Sequence, residues 1–184
     1  MSCRSKPRFF ATLLAGVTVG AAVQLLTFEL SDRLFALPAR LVREVARTVA
    51  LASLPKAPPI VEGVINVRGA LVPVLDIRQR FGLPSRPITL DQHLIIAHTG
   101  PRLVALRVDR ALDLVVVDKD VIETAALVAP GVEYVAGIAK VADGLLVIHD
   151  LEAFLAFDEA REVDAAVAGA TVAGERASQR KVKP

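Results

Sequence analysis

The sequence predicts a mainly β fold of two five-stranded barrels packed side by side, and three observations predict it. Hydrophobic residues fill 53% of the 184 positions, with Trp absent and Tyr present once, a palette of branched aliphatics suited to packed strands. Short apolar runs of strand length alternate with turn residues along most of the chain. The chain is also written twice. GVINVRGALVPVLDIRQRF (Gly63–Phe81) lies without a gap over GIAKVADGLLVIHDLEAFL (Gly137–Leu155). Upstream, Leu25–Val45 lies over Leu94–Leu114, matching Leu34 to Leu103, Ala36 to Ala105 and Leu37 to Leu106.

Each copy reads as strand, turn, strand, strand, loop, hairpin and short helix. In the first, VQLLTFEL (Val23–Leu30) alternates like a strand, Ser31-Asp32 turns it, and VREV (Val42–Val45) has the look of an edge strand. The Pro-rich LPKAPPIV (Leu54–Val61) reads as an extended linker, since proline cannot donate to a ladder. The hairpin turns at Arg68-Gly69, and Asp76 stands where its carboxylate can cap a short helical pattern over Ile77–Phe81. In the second copy Thr99-Gly100-Pro101 and Ala142-Asp143-Gly144 mark the turns, and Asp150 precedes Leu151–Phe157. Units this short cannot stand alone, so they are expected to share one hydrophobic core. After Phe157 the pattern dissolves, predicting a partly helical and then disordered tail. The chain thus divides into an apolar extension (1–22), a duplicated body (23–158, with copies at about 25–81 and 94–155) and a tail (159–184).

The extension is open to several readings. Arg4, Lys6 and Arg8 precede an uncharged run from Phe9 to Phe28, long enough to cross a bilayer and also in keeping with an export signal. The strand at Val23–Leu30 claims the end of that run, leaving Phe9–Ala22, which is short for a span. An unstructured extension, or one added by an upstream start codon, explains it as well, as does ordered structure.

Composition narrows function. A net charge of +2 makes no strong field for nucleic acid, and a single Cys3 can close no intrachain disulfide or thiolate cluster. His93, His98 and His149 are scattered through strands, without acids or cysteine at metal spacing. No glycine-rich phosphate loop, GxSxG or HExxH occurs. The expectation is a protein without catalytic residues, cofactor, metal or small-molecule substrate.

Where, then, does it bind? Strand residues two apart share a face, so Val64, Asn66 and Arg68 line one side of the hairpin, and Ile65 and Val67 the core side. The second copy has Lys140 and Ala142 where the first has Asn66 and Arg68. What one copy has and its twin lacks is a candidate for function, and an Arg beside apolar surface suits a protein interface. Gly63 is matched by Gly137, pointing to a backbone requirement, either positive φ or close approach. In VREV, Val42 and Glu44 are expected on one face, Arg43 and Val45 on the other.

VREV, PKAPPIVEGVINVRG, PVLDIRQRF and YVAGIAKVADGLLVIHDLEAFL together resemble the CheW family of chemotaxis coupling proteins, over about Leu25 to Phe157. The resemblance implies two SH3-like five-stranded barrels around a common core. It implies a cytoplasmic, non-enzymatic adaptor between the tips of transmembrane chemoreceptors and the regulatory domain of the histidine kinase CheA, without direct membrane contact of its own. The implied receptor-binding positions are Val42, Glu44, Val45, Gly63 and Arg68, and Asn66 joins them from its place on the hairpin's outer side. A scaffold of the same fold in another signalling array, such as twitching motility or surface sensing, is the alternative. The apolar N-terminus and long tail depart from the family pattern.

Overall fold

The structure, a computed structural model, describes residues 22–124, 134–141, 144–154 and 157–180. The extension before residue 22, the turn residues Ala142 and Asp143, and the last four residues of the tail lie outside the described residues.

The first copy supplies β1 (Ala22–Leu30), β2 (Arg33–Pro38), β3 (Val42–Arg47), β4 (Val61–Val67) and β5 (Ala70–Leu75). The second supplies β6 (His93–Thr99), β7 (Arg102–Val108), β8 (Arg110–Asp118), β9 (Ile122–Thr124), β10 (Val135–Val141) and β11 (Gly144–His149). These make two sheets, ordered β8-β1-β2-β11-β10-β9 and β3-β6-β7-β5-β4. The duplication is faithful at the level of register. Leu26 faces Leu37 as Ile95 faces Leu106, and Gly63 faces Val74 as Gly137 faces Ile148.

The copies do not each close a barrel of their own. The β1–β2 hairpin of the first copy pairs with β8 and β11 of the second, while β6–β7 pairs with β3 and β5 of the first. The exchange follows from two tight connections. After Pro38, a 3-10 turn over Ala39–Leu41 re-aims the chain into the other sheet, and between β7 and β8 only Asp109 intervenes. The exchanged strands are consequently central and buried on both faces, which is why they read as continuous apolar runs. In β1, Leu25 points into one barrel while Leu26, Phe28 and Leu30 point into a core between the barrels. In β6, Leu94 and Ile96 fill the second barrel, and Ile95 and Ala97 the core between. Among the described residues three apolar clusters result: one inside each barrel and a larger shared one.

The tail is helical, as expected of its first part, and the helix runs on where disorder was expected. Helix α1 runs over Phe157–Arg180, and Ala160, Val163 and Val167 sit on one face three and seven residues apart, against the shared core. Arg102 holds it from β7 through a bidentate pair with Asp164, at 2.6 and 2.7 Å. The Pro-rich linker is also not extended: it makes two turns, with Val61 N–H donating to the Pro58 carbonyl and Lys56 at φ 62°, and it buries Leu54 and Ile60. The helical patterns after Asp76 and Asp150 are single 3-10 turns, Arg78–Phe81 and Glu152–Phe154. Both aspartates accept the N–H two residues ahead, at 3.1 and 3.0 Å, the local role expected of them.

Candidate functional site

The β4–β5 hairpin closes through Arg68-Gly69 with φ 50° and 90°, the doubly left-handed geometry of a two-residue hairpin turn. Gly69 adopts it freely, whereas Arg68 does so under strain. Asn66 explains part of the arrangement: its Oδ1 accepts the Gly69 N–H at 2.8 Å and so ties the turn. With Asn66 committed there, Arg68 is thrown outward, its side chain 74% exposed.

Its one charged partner among the described residues is Glu44, whose Oε2 accepts from Arg68 Nη2 at 3.1 Å. Glu44 lies on β3, which among the described strands is an edge strand paired with β6. The fold therefore joins two candidate residues that are 24 positions apart in sequence.

The strand itself carries a correction. A bulge between Val42 and Glu44 inserts Arg43 as an extra residue, so Val42 pairs with Ala97 and Val45 with Ile95. Ala97 and Ile95 lie on one face of β6, so Val42 and Val45 share a face, contrary to simple alternation. Both line a groove of about 730 Å³ between the two sheets, together with Val23, Leu26, Pro38 and Leu114. Leu114 is the repeat counterpart of Val45, and the two stand 65% and 42% exposed. Glu44 lines the same groove.

Gly63 and Val64 occupy a different place from the other four. Gly63 is buried without positive φ, and a Cβ there would lie 2.6 Å from the Ala52 carbonyl oxygen. At Gly137 the corresponding approach comes from the Glu123 carbonyl at 2.8 Å. The shared requirement is thus close approach, made by the chain's own backbone. Val64 is 5% exposed because the same segment covers it, exchanging both backbone hydrogen bonds with Ala52. It is not the apolar neighbour expected beside Arg68. Val42, Glu44, Val45 and Arg68 are thus the accessible candidates, Asn66 ties the turn that carries Arg68, and Gly63 is buried against the Ala52 backbone.

The duplication places a second groove, about 690 Å³, at the corresponding position of the other side. Val23, Gln24 and Val42 of the apolar groove are replaced there by Gln92, His93 and Ala111. The residues Asp91, Arg47 and Arg110 add charge. Burial, with the charges of Arg47 and Arg110, lowers the His93 pKa from its ordinary value, although a hydrogen bond opposes them.

Sequence reading missed what lies below that groove. Arg78 and Arg107 are both fully buried. Arg107 takes Glu62 on Nε and Nη2 at 2.5 and 2.7 Å, Asp76 at 2.8 Å and the Gln92 amide oxygen at 3.0 Å. Arg78 takes Asp76 at 3.1 Å and Asp109 at 2.6 Å. Each guanidinium is thus neutralised by carboxylates, the condition for burying charge. Arg107 follows the apolar run LVAL inside β7 (RLVALRV), and a cation in the interior of that strand was the available signal. Among the described residues, no group of three His, Cys, Asp or Glu is placed to hold a metal ion, and no helix is long and apolar enough to cross a membrane.

The chain is similar to known proteins over most of its length. Residues 24–159 match the family described as the CheW-like domain. The chain is 27% identical over 138 residues to the probable chemotaxis protein CheW of Rhizobium etli, covering 74% of this chain and 89% of that one. It is 28% identical over 155 residues to the chemotaxis protein CheW of Klebsiella aerogenes, covering 82% and 91%. The crystal structure of the scaffolding protein TtCheW from Thermoanaerobacter tengcongensis superposes with a TM-score of 0.67 at 30% identity, covering 74% of this chain and 94% of that one.

Proposed function

The chain belongs to the CheW-like domain family of chemotaxis scaffold proteins, and on that premise we propose that it couples chemoreceptors to a CheA-type histidine kinase by binding alone. The observation that carries the reading is the meeting of Arg68 and Glu44 at the rim of a groove walled by Val42 and Val45. An outward guanidinium beside apolar surface suits the tip of a receptor's helical hairpin. Apolar helix residues would pack on Val42, Val45 and Leu114, while Arg68 offers its remaining donors to carbonyls or a carboxylate at the tip. The kinase's regulatory domain would use a separate surface, so that both partners are held at once, at the cytoplasmic end of the receptor. Single contacts of this size are weak, and an array gains its hold through many of them.

Co-sedimentation with receptor-containing membranes and kinase tests this. The unaltered chain is expected to sediment with the receptors and to raise kinase recovery. Arg68→Glu is expected to keep its melting temperature and lose that sedimentation, because it sets two carboxylates against each other at the groove. Recovery of the variant at the level of the unaltered chain would overturn the reading.

A further inference from the structure

The apolar groove carries two cations that the Arg68–Glu44 pair does not use. Arg40 lies in the 3-10 turn after β2 and Lys119 directly follows β8, and both line the groove beside Val42, Val45 and Leu114. Both are exposed, and neither meets a carboxylate among the described residues. The acid on the groove is Glu44, whose Oε2 is already held by Arg68. Asp118, beside Lys119, is spent locally on the Asp120 N–H at 3.2 Å. The duplication supplies a control. The repeat counterpart of Arg40 is Asp109, which lines the second groove and is taken up by Arg78 and the Ser31 N–H. The fold therefore does not need a base at this turn. Glu29, Asp32 and Asp91 line the second groove as well. One scaffold thus presents its groove twice, once apolar with a surplus of cations and once polar and rich in carboxylates.

We infer that the apolar groove selects a protein segment whose apolar stripe is flanked by carboxylates, and that Arg40 and Lys119 are the residues that read those flanks. β2 and β8 pair with β1 on its two sides, so the cations that follow them reach the groove from opposite directions. A segment with acids on both flanks meets both cations while its apolar residues cover Val45 and Leu114, which the chain leaves exposed. A segment flanked by lysines meets like charge instead, and discrimination is the difference between the two. Charges at a rim act mainly on the rate of encounter, and salt screens them. Resting on the coupling role proposed above, this gives the receptor tip its chemistry: an apolar stripe edged by Asp or Glu.

Three synthetic helical peptides with one leucine stripe, flanked by Glu, by Gln or by Lys, test this on the full chain. Their affinities by fluorescence anisotropy are expected to fall in that order, the Glu form binding roughly tenfold tighter than the Gln form, the factor for two rim ion pairs. That preference should shrink as salt is raised. Methyl shifts are expected at Val42, Val45 and Leu114 and not at Leu145, which is exposed on β11. Arg40→Glu with Lys119→Glu should reverse the order, and Arg40→Gln with Lys119→Gln should abolish the preference, both at an unaltered melting temperature. No binding of the Glu-flanked peptide, shifts away from the groove, equal affinities, or an order that survives either double variant overturns the proposal. Sedimentation with receptor membranes separates it from the coupling role. Recovery lost in the double variants supports both. Recovery unchanged in them removes receptor selection by these cations and leaves coupling intact. A chain that keeps the peptide order but sediments with no receptor keeps the selectivity and loses the coupling reading.

Discussion

Arg68 Nη2 donates to Glu44 Oε2 over 3.1 Å, joining the tip of the β4–β5 hairpin to the edge strand β3. The pair is largely open to water on the arginine side, so it holds little folding free energy. Arg68→Ala is expected to change the stability from urea unfolding by no more than about 1 kcal/mol, while binding to receptor membranes drops. A loss of several kcal/mol would show that the pair supports the fold.

Two glycines are expected to behave differently from a third. Gly63→Ala and Gly137→Ala push a methyl onto the Ala52 and Glu123 carbonyls, and each should cost about 1–3 kcal/mol. Gly69→Ala meets nothing within 4 Å, and its cost is conformational, from φ 90°, on the order of 1 kcal/mol. Urea midpoints for the three variants check the contrast; equal, negligible shifts at Gly63 and Gly137 would remove the close-approach account.

The buried ion network predicts a large loss. Arg107→Met leaves Glu62 and Asp76 without their shared cation and should cost about 3–5 kcal/mol. Asp109 adds a pH signature. Burial works against its charge, yet the Ser31 N–H and the cations Arg78 and Arg86 outweigh that and hold its pKa below the ordinary 3.8. Its contribution is therefore complete above that value and is lost as the pH falls through the lower folded one. The stability gap between Asp109→Asn and the unaltered chain should be open at pH 7 and narrow below about 3.8. A gap constant down to pH 2 would contradict this.

His149 acts in a higher window. Burial lowers its pKa from 6.5 to about 4 despite the opposing hydrogen bond to the Tyr134 carbonyl, and its ring packs 4.3 Å from Phe81 and 4.9 Å from Phe35. Below 6.5 the unfolded chain takes up a proton that the folded chain refuses. Stability should then fall between pH 6.5 and 4 by up to about 3 kcal/mol and level off above. His149→Leu should flatten that slope in chemical unfolding followed across the range; an unaltered slope would assign it to other groups.

Hairpin exchange predicts that neither half folds alone. A chain cut between Pro84 and Ser85 yields halves whose barrels each lack a central hairpin. Each half is expected to be unfolded by circular dichroism and to regain structure on mixing. A cooperatively folded isolated half would contradict the exchange.

The sequence showed the copies and the turns because both depend on local chemistry: Arg68-Gly69, Ser31-Asp32 and the paired glycines mark their places by residue type. It did not show which barrel each hairpin enters. β3 and β8 are equivalent by repeat and accept β6 and β1 in the same register, so partner choice leaves no local trace. The same limit applied at the site. Alternation put Val42 and Val45 on opposite faces, because a bulge is a property of the ladder and not of the strand. Arg68 was legible as outward, whereas its meeting with Glu44 needed the tertiary fold. That the tail begins as a helix was legible, but its reach to Arg180 was not, because the sequence is Ala- and Gly-rich and, among the described residues, only Ala160, Val163 and Val167 form its apolar stripe.

Reciprocal donation of hairpins makes this molecule a clasp. A pull on the Arg68 rim travels along β4 and β5 into β7, a strand contributed by the opposite half, and the opposite half is gripped in return through β2 and β11. With each lobe built partly from the other half's strands, loss of one lobe's pairing removes strands from its neighbour as well.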